Sequence, residues 1–143
     1  LLNGGCAHHD NGVLGAKSFD AAEARKVRLM KEVGFNAVRT SHNLPSEAFL
    51  YECDRQGLLV IDESFDGWRD SKTPYDYSTE FDQWWQQDVD AMVLRDRNHP
   101  SIFCWSIGFP FLRQLPISVV LPIHMLKWQN VLQNTISYLK RPA

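Results

Sequence analysis

After Gly108 the chain has no acidic residue and no glycine. All 17 Asp and Glu, and all 8 Gly, lie in residues 1–108 of the 143. At the density of the first part, the last 35 residues would hold about five or six acids. Charge divides the same way: residues 1–108 carry a net −6, and the remainder, with Arg113, Lys127, Lys140 and Arg141, a net +4. Cysteine is also scarce. Cys6, Cys53 and Cys104 are far apart and form no Cys-x-x-Cys pair, which argues against a zinc site or a disulfide framework and for buried thiols. No apolar run approaches the roughly 20 residues of a membrane span. The overall charge of −2 gives no reason to expect nucleic acid as a partner. There is no initiating Met and no signal-peptide layout, so the sequence reads as the interior of a longer chain.

What is present is regular. At 44% apolar and 22% charged residues, the composition is that of a globular domain. Residues 20–33 predict an amphipathic helix. Asp20 and Glu23 have capping-box spacing, Ala24, Val27, Met30 and Val33 form the inward stripe, and Gly34 is the stop. A strand over 35–40 follows. Ser46 then predicts the cap of a second helix, which buries Phe49, Leu50 and Cys53 and stops at Gly57. The apolar run 58–61 predicts a strand covered on both faces. A third helix over about 79–95, with Thr79 and Asp82 at capping spacing and Trp85, Val89 and Met92 inward, leads into a strand over 102–107. Leu1 to Gly5 reads as the end of an earlier strand.

Alternating strands and helices predict an α/β fold with a parallel sheet, either doubly wound or the first half of a (β/α)8 barrel. A whole barrel needs about 250 residues. In both architectures chemistry belongs at the carboxyl ends of the strands. The polar residues fall there: His8, His9 and Asp10 after strand one, Arg39 and His42 after strand two, Asp62, Glu63 and Asp66 after strand three, and Trp105-Ser106-Ile107-Gly108 after strand four. Each also has a structural reading. Arg39 could pair with Asp62, Glu63 could be a surface charge, and Trp105 could be core.

Two chemistries fit such a rim. A metal hydrolase would use His8, His9, His42 and Asp62 as ligands, but adjacent histidines in an extended segment point apart and chelate one ion poorly. A sugar site combines such hydrogen-bonding groups with aromatic platforms, here Trp68, Tyr75, Tyr77, Trp84 and Trp85. Retaining hydrolysis further needs two carboxylates about 5–5.5 Å apart.

Three segments carry a family resemblance: Asn36 to Asn43, Cys53 to Glu63, and Asp96-Arg97-Asn98-His99-Pro100-Ser101 running on to Trp105-Ser106-Ile107-Gly108. Together they resemble the catalytic barrel of glycoside hydrolase family 2. The opening segment Gly5 to Ala16 is similar to bacterial members of β-galactosidase type. The resemblance implies the N-terminal half of a TIM barrel over residues 1–108. Residues 109–143 do not resemble the family: Pro110, Pro116 and Pro122 predict an irregular stretch, and the spacing of Met125, Trp128, Leu132 and Ile136 predicts a helix within 124–140. The resemblance also implies a β-glycoside as partner, no cofactor, no metal, no membrane, and neighbouring β-sandwich domains in a bacterial parent, periplasmic or secreted. By the same resemblance His8 and His9 lie in the sugar-binding loop, His42 contacts substrate, Arg39 supports the nucleophile, and Asp62 with Glu63 form the acidic pair after strand three.

One departure stands out. In the family, Trp-Ser-Ile-Gly is followed by Asn-Glu, and that Glu is the acid/base. Here Phe109 and Pro110 occupy those positions, and no later residue matches the nucleophile. The expectation is a fragment that performs no hydrolysis, its tail produced by a shifted reading frame or a truncated gene. The alternative is a non-catalytic sugar-binding or interaction module derived from such an enzyme.

Overall fold

The computed structural model describes residues 1–108 and 120–122. The expected tail helix over 124–140 lies outside the described residues. Four parallel strands, β1 (Gly4–Ala7), β2 (Ala37–Thr40), β3 (Leu59–Glu63) and β4 (Ile102–Ser106), sit side by side in chain order. Helices α1 (Asp20–Glu32), α2 (Glu47–Gln56) and α3 (Phe81–Asp96) make the crossovers. A doubly wound sheet reverses its strand order at a switch point; this sheet does not. All three helices also pack on one face. Val27 of α1, Phe49, Leu50 and Cys53 of α2, and Met92 of α3 meet Val38, Val60, Ile102 and Trp105 of the sheet in one core. Helices on one face and a sequential strand order are the geometry of a barrel half. Burying a side chain such as Leu50 or Phe49 contributes about 1.5–3 kcal/mol.

The second helix follows its sequence signals closely. Ser46 caps α2, its Oγ accepting the Phe49 N–H at 3.2 Å, and Gly57 ends it in the left-handed region. The other two caps differ from expectation. Phe19 precedes α1 without a side-chain cap, so Asp20 is a first-turn residue and no capping box forms. Val33, expected inward, is 70% exposed because the helix ends at Glu32. Before α3, Asp76 caps a short 3-10 turn (Tyr77–Thr79), and Glu80 precedes the helix without a side-chain cap, so Thr79 and Asp82 are not its capping pair. In β3, Leu59 is exposed and Ile61 only partly buried, so the expected strand covered on both faces is covered fully on the helix side alone, at Val60 and Asp62, and on the other side only at Glu63.

The tail contributes a strand where an irregular stretch was expected. Strand β5 (Val120–Pro122) pairs antiparallel with β4, in the register Ser106↔Val120, Trp105↔Leu121 and Cys104↔Pro122. The reason is local composition: Val119-Val120-Leu121 is β-prone, and Pro122 stands at the end of an outer strand, where a missing N–H donor is tolerated. The fifth strand of a barrel would run parallel, so β5 does not continue the pattern of β1–β4.

Candidate active site

Strand alternation decides which residues meet. Cys6, Arg39, Glu63 and Ser106 share the sheet face turned away from the helices, and their side chains touch. Glu63 is the hub and is wholly buried. Arg39 grips it with two parallel bonds, Nε to Oε2 at 2.8 Å and Nη2 to Oε1 at 2.9 Å. Ser106 donates Oγ–H to Oε2 at 2.7 Å and accepts the Gly108 N–H at 3.3 Å. Such a bidentate, charge-assisted pair is among the stronger polar contacts. Glu63 raises the Arg39 guanidinium above its ordinary value, chiefly through this hydrogen bonding. Arg39 Nη1 also lies 3.4 Å from the Cys6 sulfur.

His42 stands over this pair. Its Nδ1 is 3.4 Å from Glu63 Oε1, from Asp66 Oδ1 and from Arg39 Nη2. His8 packs edge-on against the His42 ring, with centroids 5.3 Å apart. Asp66 is in turn held by Lys72, Nζ to Oδ1 at 2.6 Å, from the loop after β3. The structure therefore brings together His8, Arg39, His42 and Glu63 of the residues expected from sequence. It adds Asp66 and Ser106, strand-tip residues to which no role had been assigned, together with Lys72 and Cys6. The signal for Ser106 and Cys6 was available: residues two apart on a strand share a face, and parallel register sets Cys6 beside Arg39 and Ser106 beside Glu63. The contact between Asp66 and Lys72 depends on a loop conformation with no sequence period.

His9 and Asp62 are placed elsewhere. His9 lines a crevice between the β1 loop and helices α1 and α2, with Glu23, Lys26, Asn43 and Phe49. Asp62 points to the helix side of β3, where it is fully buried beside Thr40 and Asp96. The structural readings also divide. Arg39 pairs with Glu63 rather than Asp62, Glu63 is not a surface charge, and Trp105 is core.

A buried carboxylate organises the loop carrying His8 and His9. Glu23 of α1 accepts from Asn11 Nδ2 at 2.8 Å and pairs with Lys26 at 3.2 Å. Asn11 Nδ2 and Lys26 Nζ also reach the His9 and His8 carbonyls, both at 3.4 Å. His99 sits at the opposite end of the sheet, bonded through Nδ1 to Asp54 Oδ2 at 2.6 Å, while Asp54 Oδ1 accepts the Ser101 N–H. That contact fastens α2 to the start of β4 and is structural.

The aromatic candidates separate as well. Trp85 is core, and Trp68 donates Nε1–H to the Ile107 carbonyl at 2.8 Å and stacks on Phe81. Tyr77 stacks on Phe65, and its hydroxyl bonds to Asp88. Tyr75 and Trp84 face solvent. Among the described residues, no group of three or more His, Cys, Asp or Glu is arranged to hold a metal ion.

A sequentially ordered barrel half, with histidines above a buried Arg–Glu pair at the strand tips, is the geometry of part of a (β/α)8 barrel with a polar rim. Residues 1–110 match the family profile described as glycosyl hydrolases family 2, TIM barrel domain, and the chain belongs to that family. It is 49% identical over 113 residues to the beta-galactosidase BoGH2A of Bacteroides ovatus, covering 79% of this chain and 13% of that protein. It is 47% identical over 108 residues to a putative beta-glucuronidase of Formosa agariphila, covering 75% of this chain and 10% of that protein. Among solved structures, a family 2 member from Bacteroides cellulosilyticus aligns with a TM-score of 0.73 at 62% identity, over 75% of this chain and 14% of its own. A beta-glycosidase from Bacteroides vulgatus aligns with a TM-score of 0.76 at 38% identity, over 96% of this chain and 16% of its own. The chain thus spans about an eighth of the length of the first of these relatives.

Proposed function

We propose that this chain is the β1–β4 part of a retaining, β-galactosidase-like glycosidase site, carrying sugar-facing groups but performing no hydrolysis itself. The observation that carries this reading is the enclosure of Glu63. A nucleophile must be open to the anomeric carbon, and a general acid must reach the leaving oxygen. Glu63 does neither, because three donors from Arg39 and Ser106 occupy it and none of its surface is exposed. The position of the family acid/base falls at Phe109-Pro110, neither of which exchanges a proton. General acid–base catalysis typically contributes about 10²–10⁴-fold, and that contribution is lost with the carboxylate.

His8 and His42 are the groups this reading assigns to sugar contact, with Arg39 and Glu63 as their floor. His9 reaches sugar only at the edge of the neighbouring crevice. The substrate class is a β-glycoside, in keeping with the names of the relatives. Titration of galactose and glucuronate into the ¹⁵N-labelled chain tests the assignment. The fragment reading predicts weak, unsaturated shifts confined to His8, His42 and their neighbours. Saturable binding at millimolar concentration or tighter would favour a sugar-binding module instead. Shifts that avoid both histidines would overturn the assignment.

A further inference from the structure

Behind the rim lies a second acidic site that the sugar-binding reading does not use. Asp62 and Asp96 are both wholly buried, and their carboxyl groups are within hydrogen-bonding reach of each other. Asp96, at the end of α3, takes both guanidinium donors of Arg95, at 2.5 and 2.7 Å. Among the described residues no cation donates a hydrogen bond to Asp62, and Arg95 acts on it only as a neighbouring charge. Its Oδ1 accepts from Thr40 Oγ1 at 3.3 Å, and its Oδ2 meets no donor from a hydroxyl, amide or base. Two ionised carboxylates sharing one arginine in a dry core would repel strongly. A proton shared between the two carboxyl groups relieves the repulsion and gives a buried Asp62 oxygen a hydrogen to donate.

We propose that Asp62 is held as the neutral acid and shares its proton with Asp96, forming a buried pair that positions the rim from behind. The pair joins three site-bearing segments. Asp62 immediately precedes Glu63. Thr40, which touches Asp62, also accepts the Glu63 N–H at 3.0 Å. Arg95 donates its Nη2–H to the Pro45 carbonyl at 2.8 Å, in the segment that carries His42. The ionisable groups acting on Asp62 are Asp96 and Arg95, both from α3. From β2 it meets Thr40, and its register partner on β4 is Trp105, neither ionisable in the working range. Glu47 of α2 acts on Arg95, and Glu63 and Arg39 lie on the opposite sheet face. Burial first, and Asp96 second, push Asp62 up from 3.8 to about 8.

The sign of the pH effect follows. A group whose pKa is raised in the folded state adds stability that is complete below about pH 4. It is lost progressively as pH rises to about 8. The test is carbonyl-detected NMR of the Asp62 Cγ in the full chain, assigned through its own backbone so that no variant is needed. At pH 6 an ordinary aspartate is ionised by about a hundredfold. Asp62 is expected at the protonated position there, moving to the ionised one between about pH 7 and 9. An ionised signal at pH 6 overturns the proposal.

The positioning role is read with Asp62→Asn, which keeps the shape and a donor without the charge. The urea midpoint of the wild-type chain should fall between pH 5 and 8.5, while that of Asp62→Asn falls less and lies above wild type at pH 8.5. The Thr40 amide, beside Asp62 on the helix side of the sheet, should shift between about pH 7 and 9 in the wild-type chain and not over that window in the variant. Parallel pH profiles, or an Asp62→Asn chain that does not fold at pH 8.5, would contradict the account.

Discussion

At the scale of residues, two adjacent acids in one motif have opposite environments. Asp62 and Glu63 read alike in the sequence, but the strand period sends Glu63 to Arg39 and Asp62 to the helix layer. Because Glu63 is fully buried, removing its partner leaves an uncompensated charge. Arg39→Ala should lower stability by about 3–5 kcal/mol, measured by urea denaturation at pH 7. A loss below about 1 kcal/mol would mean water reaches Glu63. Gly108, the last residue before the change in composition, has φ +96°, and a Cβ there would sit 2.2 Å from the Phe65 carbonyl oxygen. Gly108→Ala should therefore destabilise the chain measurably on both counts, while Gly12→Ala, also at positive φ but with open space around it, should cost less. What sequence could convey here was residue type and period. The Lys72–Asp66–His42 chain was not visible, because it depends on how the loop after β3 folds back.

At the scale of elements, α2 was the most legible, since Ser46, its buried stripe and Gly57 all agree. Ser46→Ala should cost about 1 kcal/mol, read from the urea midpoint. The capping spacing at Asp20 and Glu23 pointed to the right helix for the wrong reason. Glu23 is not a reciprocal cap; it is buried and binds Asn11 and Lys26, which anchor the His8–His9 loop. Glu23→Ala should cost about 1–3 kcal/mol. It should also broaden the His8 and His9 resonances, which a plain loss of helix propensity would leave sharp. The short β5 was missed because three prolines in the stretch outweighed a brief β-prone run. Strand pairing with β4 is a non-local contact that sequence period does not report.

At the scale of the whole molecule, β1 is the outer strand of the sheet among the described residues, and no described element covers the sheet face opposite the helices. All four residues of β1 are exposed or half-exposed. Edges of this kind invite pairing with other chains. The expected behaviour of the 143-residue chain is self-association through this edge, seen as a thermal midpoint that depends on concentration. A sharp, concentration-independent transition of a monomer would contradict it. The family and the barrel architecture were legible because the motifs sit at strand ends, where register and chemistry constrain residue type together. The identity of the sugar is not written in this part, since the relatives that share it carry beta-galactosidase and beta-glucuronidase names alike.

The central claim is that the chain keeps a glycosidase rim without the acid/base carboxylate, whose place Phe109-Pro110 take. The most direct measurement is release of nitrophenol from nitrophenyl β-galactoside and β-glucuronide by the purified chain, beside Glu63→Gln prepared identically. The account predicts rates indistinguishable from the buffer blank for both proteins. Turnover that survives removal of host glycosidases and disappears in Glu63→Gln would contradict it.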